Sequence, residues 1–159
     1  MGAGLGAGGD GIKVRPTGKA IPVSSQPAYE RPMRAIHHIA LICSDYARSR
    51  AFYSEILGLP ILHEVYRAER DSWKCDLDAG NGQIELFSFP NPPARPSRPE
   101  ACGLRHLAFL VDDIDTEVAR LTGAGVACED IRVDPYTGQR FTFFADPDGL
   151  PLELYERAA

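Results

Sequence analysis

No stretch of this 159-residue chain approaches the ~20 consecutive apolar residues that a membrane-spanning helix needs, and no apolar h-region follows its N-terminus. Long basic runs are missing too: 17 Lys and Arg against 22 Asp and Glu leave a net charge of -5. That balance argues against nucleic acid or an anionic membrane as partner and favours a small molecule. Cys43, Cys75, Cys102 and Cys128 form no C-x-x-C pair, and three of them sit in apolar or strand-like surroundings, as reduced packing thiols do. These absences together predict a cytoplasmic protein in a reducing compartment.

What is present suits one ordinary domain, with 44% hydrophobic residues to fill a core. Residues 1-32 are rich in Gly, Pro and Ser without hydrophobic periodicity, a composition that cannot offset the entropy of ordering, and they are expected to form a flexible N-terminal extension. Their few acidic residues also fit a weak targeting segment, although Arg is sparse, and Met33 is an alternative start.

From residue 34 the pattern sharpens. An apolar strand over 36-43 leads to Ser44-Asp45 as a helix cap, then Phe52, Tyr53, Ile56 and Leu57 at helical spacing, with Gly58 as the stop. Strand-like segments follow near 60-66, 72-78 and 83-89, the last two separated by the hairpin signal Asn81-Gly82. This β-α-β-β-β unit is module one (34-89). The prolines of 90-103 forbid a helix and predict a semi-rigid linker. Module two (104-156) then repeats the pattern: strand RHLAFLV, a cap at Asp112 or Asp113, a helix face of Ile114, Val118 and Leu121, glycines 123 and 125, and strands near 126-132, 139-145 and 150-156.

The repeat has a constant offset: His106 follows His38, and Glu153 follows Glu85, by 68 residues. Trp73 and Phe141 share that offset and read as packing residues first, pocket walls second; His63 has Ile131 as counterpart and reads as incidental. On a strand, Glu85 shares a face with Gln83 and Phe87, and a carboxylate there is costly unless paired, protonated or bound to metal. Two imidazoles and two carboxylates related by a pseudo-twofold axis make an N2O2 set acceptable to Zn, Ni, Co, Mn or Fe. The adjacent His37 matches Arg105 in the repeat, and strand alternation places it opposite His38, so His37→Ala is expected to leave metal binding nearly unchanged. Arg67, Arg70, Arg95, Arg98, Arg105 and Arg140 gather around the predicted cleft strands and linker, which suits an anionic small molecule.

Paired β-α-β-β-β modules with His on the first strand and Glu on the last resemble the vicinal oxygen chelate superfamily, and the His/Glu/His/Glu set looks like its glyoxalase I branch. The stretches YRAERDSWKCDLDAGNGQIELFSFPNPPARPSRPEACGLRHLAF and DPYTGQRFTFFADPDGLPLELYE further resemble the small bacterial YaeR-type glyoxalase I-like metalloproteins. The resemblance covers residues 34-156. It implies an α+β fold in which two tandem modules form an open, barrel-like cleft, holding one divalent metal on His38, Glu85, His106 and Glu153, with Ni/Co or Zn favoured.

It further implies a lyase or isomerase acting on a small α-oxo carbonyl compound or its thiol hemithioacetal. Proton abstraction would give a metal-stabilised enediolate, with Glu153 as base and Glu85 able to share that role. A homodimer, or modules paired within one chain, are both compatible with the linker. Compact glutathione-dependent members carry Arg four residues after the first His and Asn four after the first Glu. Here those positions are Ile42 and Phe89, so glutathione dependence lacks support. The alternatives on the same fold are a non-catalytic metal or small-ligand-binding module and a metal-dependent dioxygenase, the latter needing only one carboxylate.

Overall fold

The computed structural model describes residues 35-96 and 98-158. The described residues belong to one compact unit that begins at Ala35; the expected extension over 1-32 lies outside the described residues. Strand β1 (His38–Cys43) is followed by helix α1 (Tyr46–Ala51), which passes into a π-helical turn over Phe52–Ile56. Strands β2 (Ile61–Arg67), β3 (Ser72–Asp78) and β4 (Gln83–Ser88) complete the first half. The second half comprises β5 (Leu107–Val111), α2 (Ile114–Gly123), β6 (Arg132–Val133), β7 (Arg140–Ala145) and β8 (Pro151–Glu156).

Local chemistry sets these boundaries. The Asp45 carboxylate accepts from the Arg48 amide at 3.0 Å, and Asp113 accepts from the amides of Asp115 and Thr116, so both helices start on a side-chain cap. Gly58 stops the first helical segment at φ +74°, a left-handed conformation costly for any residue with a Cβ. The widened turn, with the Leu57 amide bonded to Phe52 carbonyl at 2.9 Å, turns Phe52 and Tyr53 into the interior.

Each half forms a four-stranded mixed sheet, β1-β4-β3-β2 and β5-β8-β7-β6, and neither sheet closes. The first strand of each half pairs parallel with its last, which puts Ala40 opposite Glu85 and Ala108 opposite Glu153. Alternation then divides the faces. Cys75, Leu77, Ile84, Leu86, Leu152 and Leu154 turn into one core with Ile114 and Leu121, shared by both halves. Across that core the Tyr53 hydroxyl donates to Asp146 at 2.9 Å, and burial together with the Asp146 carboxylate pushes the phenol pKa up.

Two features depart from the sequence pattern. The strand expected near 126-132 is reduced to Arg132–Val133: among the described residues the preceding segment meets β7 through Glu129 alone, whose amide donates to the Phe143 carbonyl and whose carbonyl accepts from the Thr142 hydroxyl in place of a backbone ladder. The turn between β7 and β8 is one residue longer than that between β3 and β4, since Ala145 pairs with Pro151 whereas Asp78 pairs with Gln83. The repeat offset therefore slips by one between β3 and β7. A one-residue slip exchanges faces: Trp73 stacks on Tyr46 at 5.2 Å on the helix side, while Phe141 packs with Phe143 on the opposite face. Trp73 and Phe141 are not structural counterparts.

Candidate functional site

In the first sheet His38 opens β1 and brings its Nε2 to 3.6 Å from Glu85 Oε2. Lys74, two positions from Asp76 on β3, turns to the same face, where its ammonium donates to Glu85 Oε1 at 3.0 Å and also pairs with Asp76. Burial opposes the Lys74 charge, but the hydrogen bonds to Asp76 and Glu85 outweigh it and raise the Lys74 pKa. His63 Nδ1 lies 3.9 Å from the Asp76 carboxylate, so it borders the cluster. The Arg67 guanidinium covers Phe87 and Phe89 at 4.8 and 5.7 Å.

His37 is not placed as strand alternation expects. The strand begins at His38, so the period-two rule does not govern the residue before it, and the His37 Nδ1 lies 2.9 Å from the His38 Nδ1. That contact leaves Nε2 as the His38 nitrogen facing Glu85. Ring nitrogens that fix a metal-ligating imidazole are typically worth 10-100-fold in metal affinity. His37→Ala is therefore expected to weaken binding of a divalent metal about tenfold, read by competition with a chromophoric chelator; an unchanged affinity would return His37 to a bystander.

In the second sheet His106 immediately precedes β5, and its Nε2 lies 3.0 Å from Glu153 Oε2. Glu153 is only 8% exposed, beside Ala108 on one strand and Phe143 on the other. The slipped register gives it different neighbours: Phe143 takes the place that Asp76 holds opposite Glu85, and Phe141 the place of Lys74; among the described residues no ammonium reaches Glu153, since the second half holds no lysine. The His106 ring meets Phe143 edge-on at 5.2 Å. Its Nδ1 is buried without a hydrogen-bond partner among the described residues.

The four proposed ligands are thus brought together as two His–Glu pairs, and among the described residues no three His, Cys, Asp or Glu side chains converge as a metal cluster. Each pair aims an imidazole Nε2 and a carboxylate oxygen at common space, a donor set suited to a borderline divalent ion. The sequence does not reveal that Lys74 and Asp76 flank one carboxylate alone; the alternation Lys74-Cys75-Asp76-Leu77 points to it once the hairpin register is known.

The arginines divide by environment. Arg140 is held by Glu156 and Asp115 at 2.6 and 2.7 Å, which raises its pKa and makes it structural. Arg95, Arg98 and Arg105 border a cavity of about 510 Å³ next to His106, joined by Arg132, which has no arginine counterpart in the repeat.

Comparison with known proteins matches this architecture. A sequence model described as the Glyoxalase/Bleomycin resistance protein/Dioxygenase superfamily matches residues 35-154. The protein YaeR of Escherichia coli (strain K12) is 69% identical over 127 residues, covering 79% of this chain and 98% of that protein. A 2-epi-5-epi-valiolone epimerase from Actinomyces sp is 29% identical over 142 residues, covering 76% and 78%. Among solved structures, the glyoxalase family protein from Enterococcus faecalis superposes with a TM-score of 0.73 at 49% identity, covering 77% of this chain and 98% of that one.

Proposed function

Because the chain belongs to the glyoxalase/bleomycin resistance protein/dioxygenase superfamily, we propose that it is a metal-dependent glyoxalase I-like lyase or isomerase. Its substrate in this reading is a small α-oxo carbonyl compound or its thiol hemithioacetal. The superfamily includes lactoylglutathione lyases and epimerases, and its members commonly bind a divalent metal and often form dimers. The observation that carries the reading is the duplicated pairing of a strand-leading histidine with a largely buried glutamate, at 3.6 Å in one sheet and 3.0 Å in the other.

His38, Glu85, His106 and Glu153 would hold the ion, with Ni, Co or Zn favoured over Mn or Fe. Such an ion supplies Lewis acidity at a substrate oxygen. The chain's own groups do the rest. Glu153 takes the proton from the carbon beside the carbonyl and returns it to the neighbouring carbon. Phe141 and Phe143 line the Glu153 side and exclude water from it, while Lys74 holds Glu85 in place. A homodimer in which module one of one copy faces module two of its partner would complete the ligand set. Ile42 and Leu110, 60% and 58% exposed beside the two pairs, supply apolar surface for such a contact.

The test loads metal-free protein with Ni, Co, Zn or Mn and follows isomerisation of methylglyoxal adducts of several thiols. Turnover with at least one metal-thiol pair is expected, together with metal occupancy that falls on dilution through dimer dissociation. No turnover with any pair would leave a binding module instead.

A further inference from the structure

We propose that the cavity beside His106 is an anion subsite that takes a phosphate monoester, so that the α-oxo carbonyl substrate carries a phosphate group. The carbonyl end of this assignment rests on the metal-dependent reading above; the phosphate end rests on the cavity alone. At about 510 Å³ the cavity has the size of a small-molecule site. His106 and Phe143 form the wall nearest Glu153, and Arg95, Arg98, Arg105 and Arg132 contribute the charge.

The charge is unusual for this molecule. A chain of net charge -5 places four guanidinium groups around one cavity, against two lining carboxylates, Glu100 and Glu129, which leaves +2. Arg132 is fixed by its pair with Glu129 at 2.8 Å and by the Phe141 and Phe143 rings, 5.0 and 5.4 Å from its guanidinium carbon. Arg95 ties the linker to the start of the second module by donating to the Leu104 and Arg105 carbonyls at 2.6 and 3.3 Å, and its Nε is buried with no acceptor. Arg98 and Arg105 form no ion pair among the described residues.

Such a lining has more donors than acceptors. A single carboxylate would neutralise only half of the surplus and offer two oxygens. A phosphate monoester brings a charge of about -1.5 to -2 near neutral pH and three terminal oxygens, the complement of several guanidinium forks. With the phosphate among the arginines, the carbon portion extends along the wall toward His106 and Glu153.

Calorimetric titration of the metal-free full chain with glycerol 3-phosphate, succinate and glycerol tests this. Glycerol 3-phosphate is expected to saturate one site per chain and glycerol to give no signal. The double variant Arg98→Ala/Arg105→Ala, both exposed positions, should weaken glycerol 3-phosphate at least tenfold, whereas Arg70→Ala, exposed and outside the cavity, should not. Absence of saturable binding, equal affinity in the double variant, or tighter binding of succinate would each overturn the phosphate assignment. Because no metal enters the titration, its failure leaves the metal-dependent reading standing, and failure of turnover with every metal leaves the titration result standing.

Discussion

Glu153→Gln is expected to lower metal-dependent turnover by about 10²-10⁴-fold, the range a positioned general base contributes, with kcat measured at saturating metal. The amide keeps an oxygen for a metal but cannot take a proton, so the loss should fall on kcat more than on metal affinity. Pseudosymmetry makes Glu85 the obvious rival, and the environments separate the two. One Glu85 oxygen accepts from the Lys74 ammonium at 3.0 Å and the other faces His38. Glu153 has no ammonium contact among the described residues; it faces His106 and lies beside the apolar ring of Phe143. Glu85→Gln should therefore weaken metal binding while sparing more of kcat at saturating metal. A larger kcat loss in Glu85→Gln than in Glu153→Gln would exchange the two roles.

Leu152→Ala should cost about 3 kcal/mol of unfolding free energy, within the range for truncating a buried leucine. For a chain of this size that is about 10 °C in melting temperature. Leu152 is fully buried at the centre of the shared core, paired with Leu107 and Phe144 in its sheet. Its removal leaves a cavity directly behind the residue that follows it, Glu153, so activity should decline along with stability. Tyr136→Ala, at a residue 95% exposed, should change stability by less than about 0.5 kcal/mol and serves as the comparison in urea unfolding. A cost below about 1 kcal/mol for Leu152→Ala would mean that the two sheets close over the gap.

Much of the architecture is legible in the residues. Helix starts at Asp45 and Asp113 follow from capping chemistry, and the stop at Gly58 from its need for a left-handed backbone. Strand limits are fixed by apolar alternation: β3 spans Ser72–Asp78 as the sequence predicts, and β7 and β8 begin within one residue of their expected positions. The hairpin signal at Asn81-Gly82 marks the right loop, but the left-handed residue is Gly80, at φ +81°. A Cβ on Gly82 would instead lie 3.2 Å from the Ile36 carbonyl, so close approach of the backbone favours glycine there.

By itself the sequence determined the duplication, and with it the pairing of each first-strand histidine with its last-strand glutamate. An offset of 68 residues repeats the parallel register of β1 with β4 in that of β5 with β8. Only the tertiary structure decided how the two pairs differ. One extra residue in the turn before β8 slips β7 against the repeat, and because a strand reverses its faces at every residue, that slip places Phe141 and Phe143 beside Glu153 where Lys74 and Asp76 stand beside Glu85. Tertiary packing also brought Arg132 to the linker arginines, a meeting between segments that share no repeat position and no local motif.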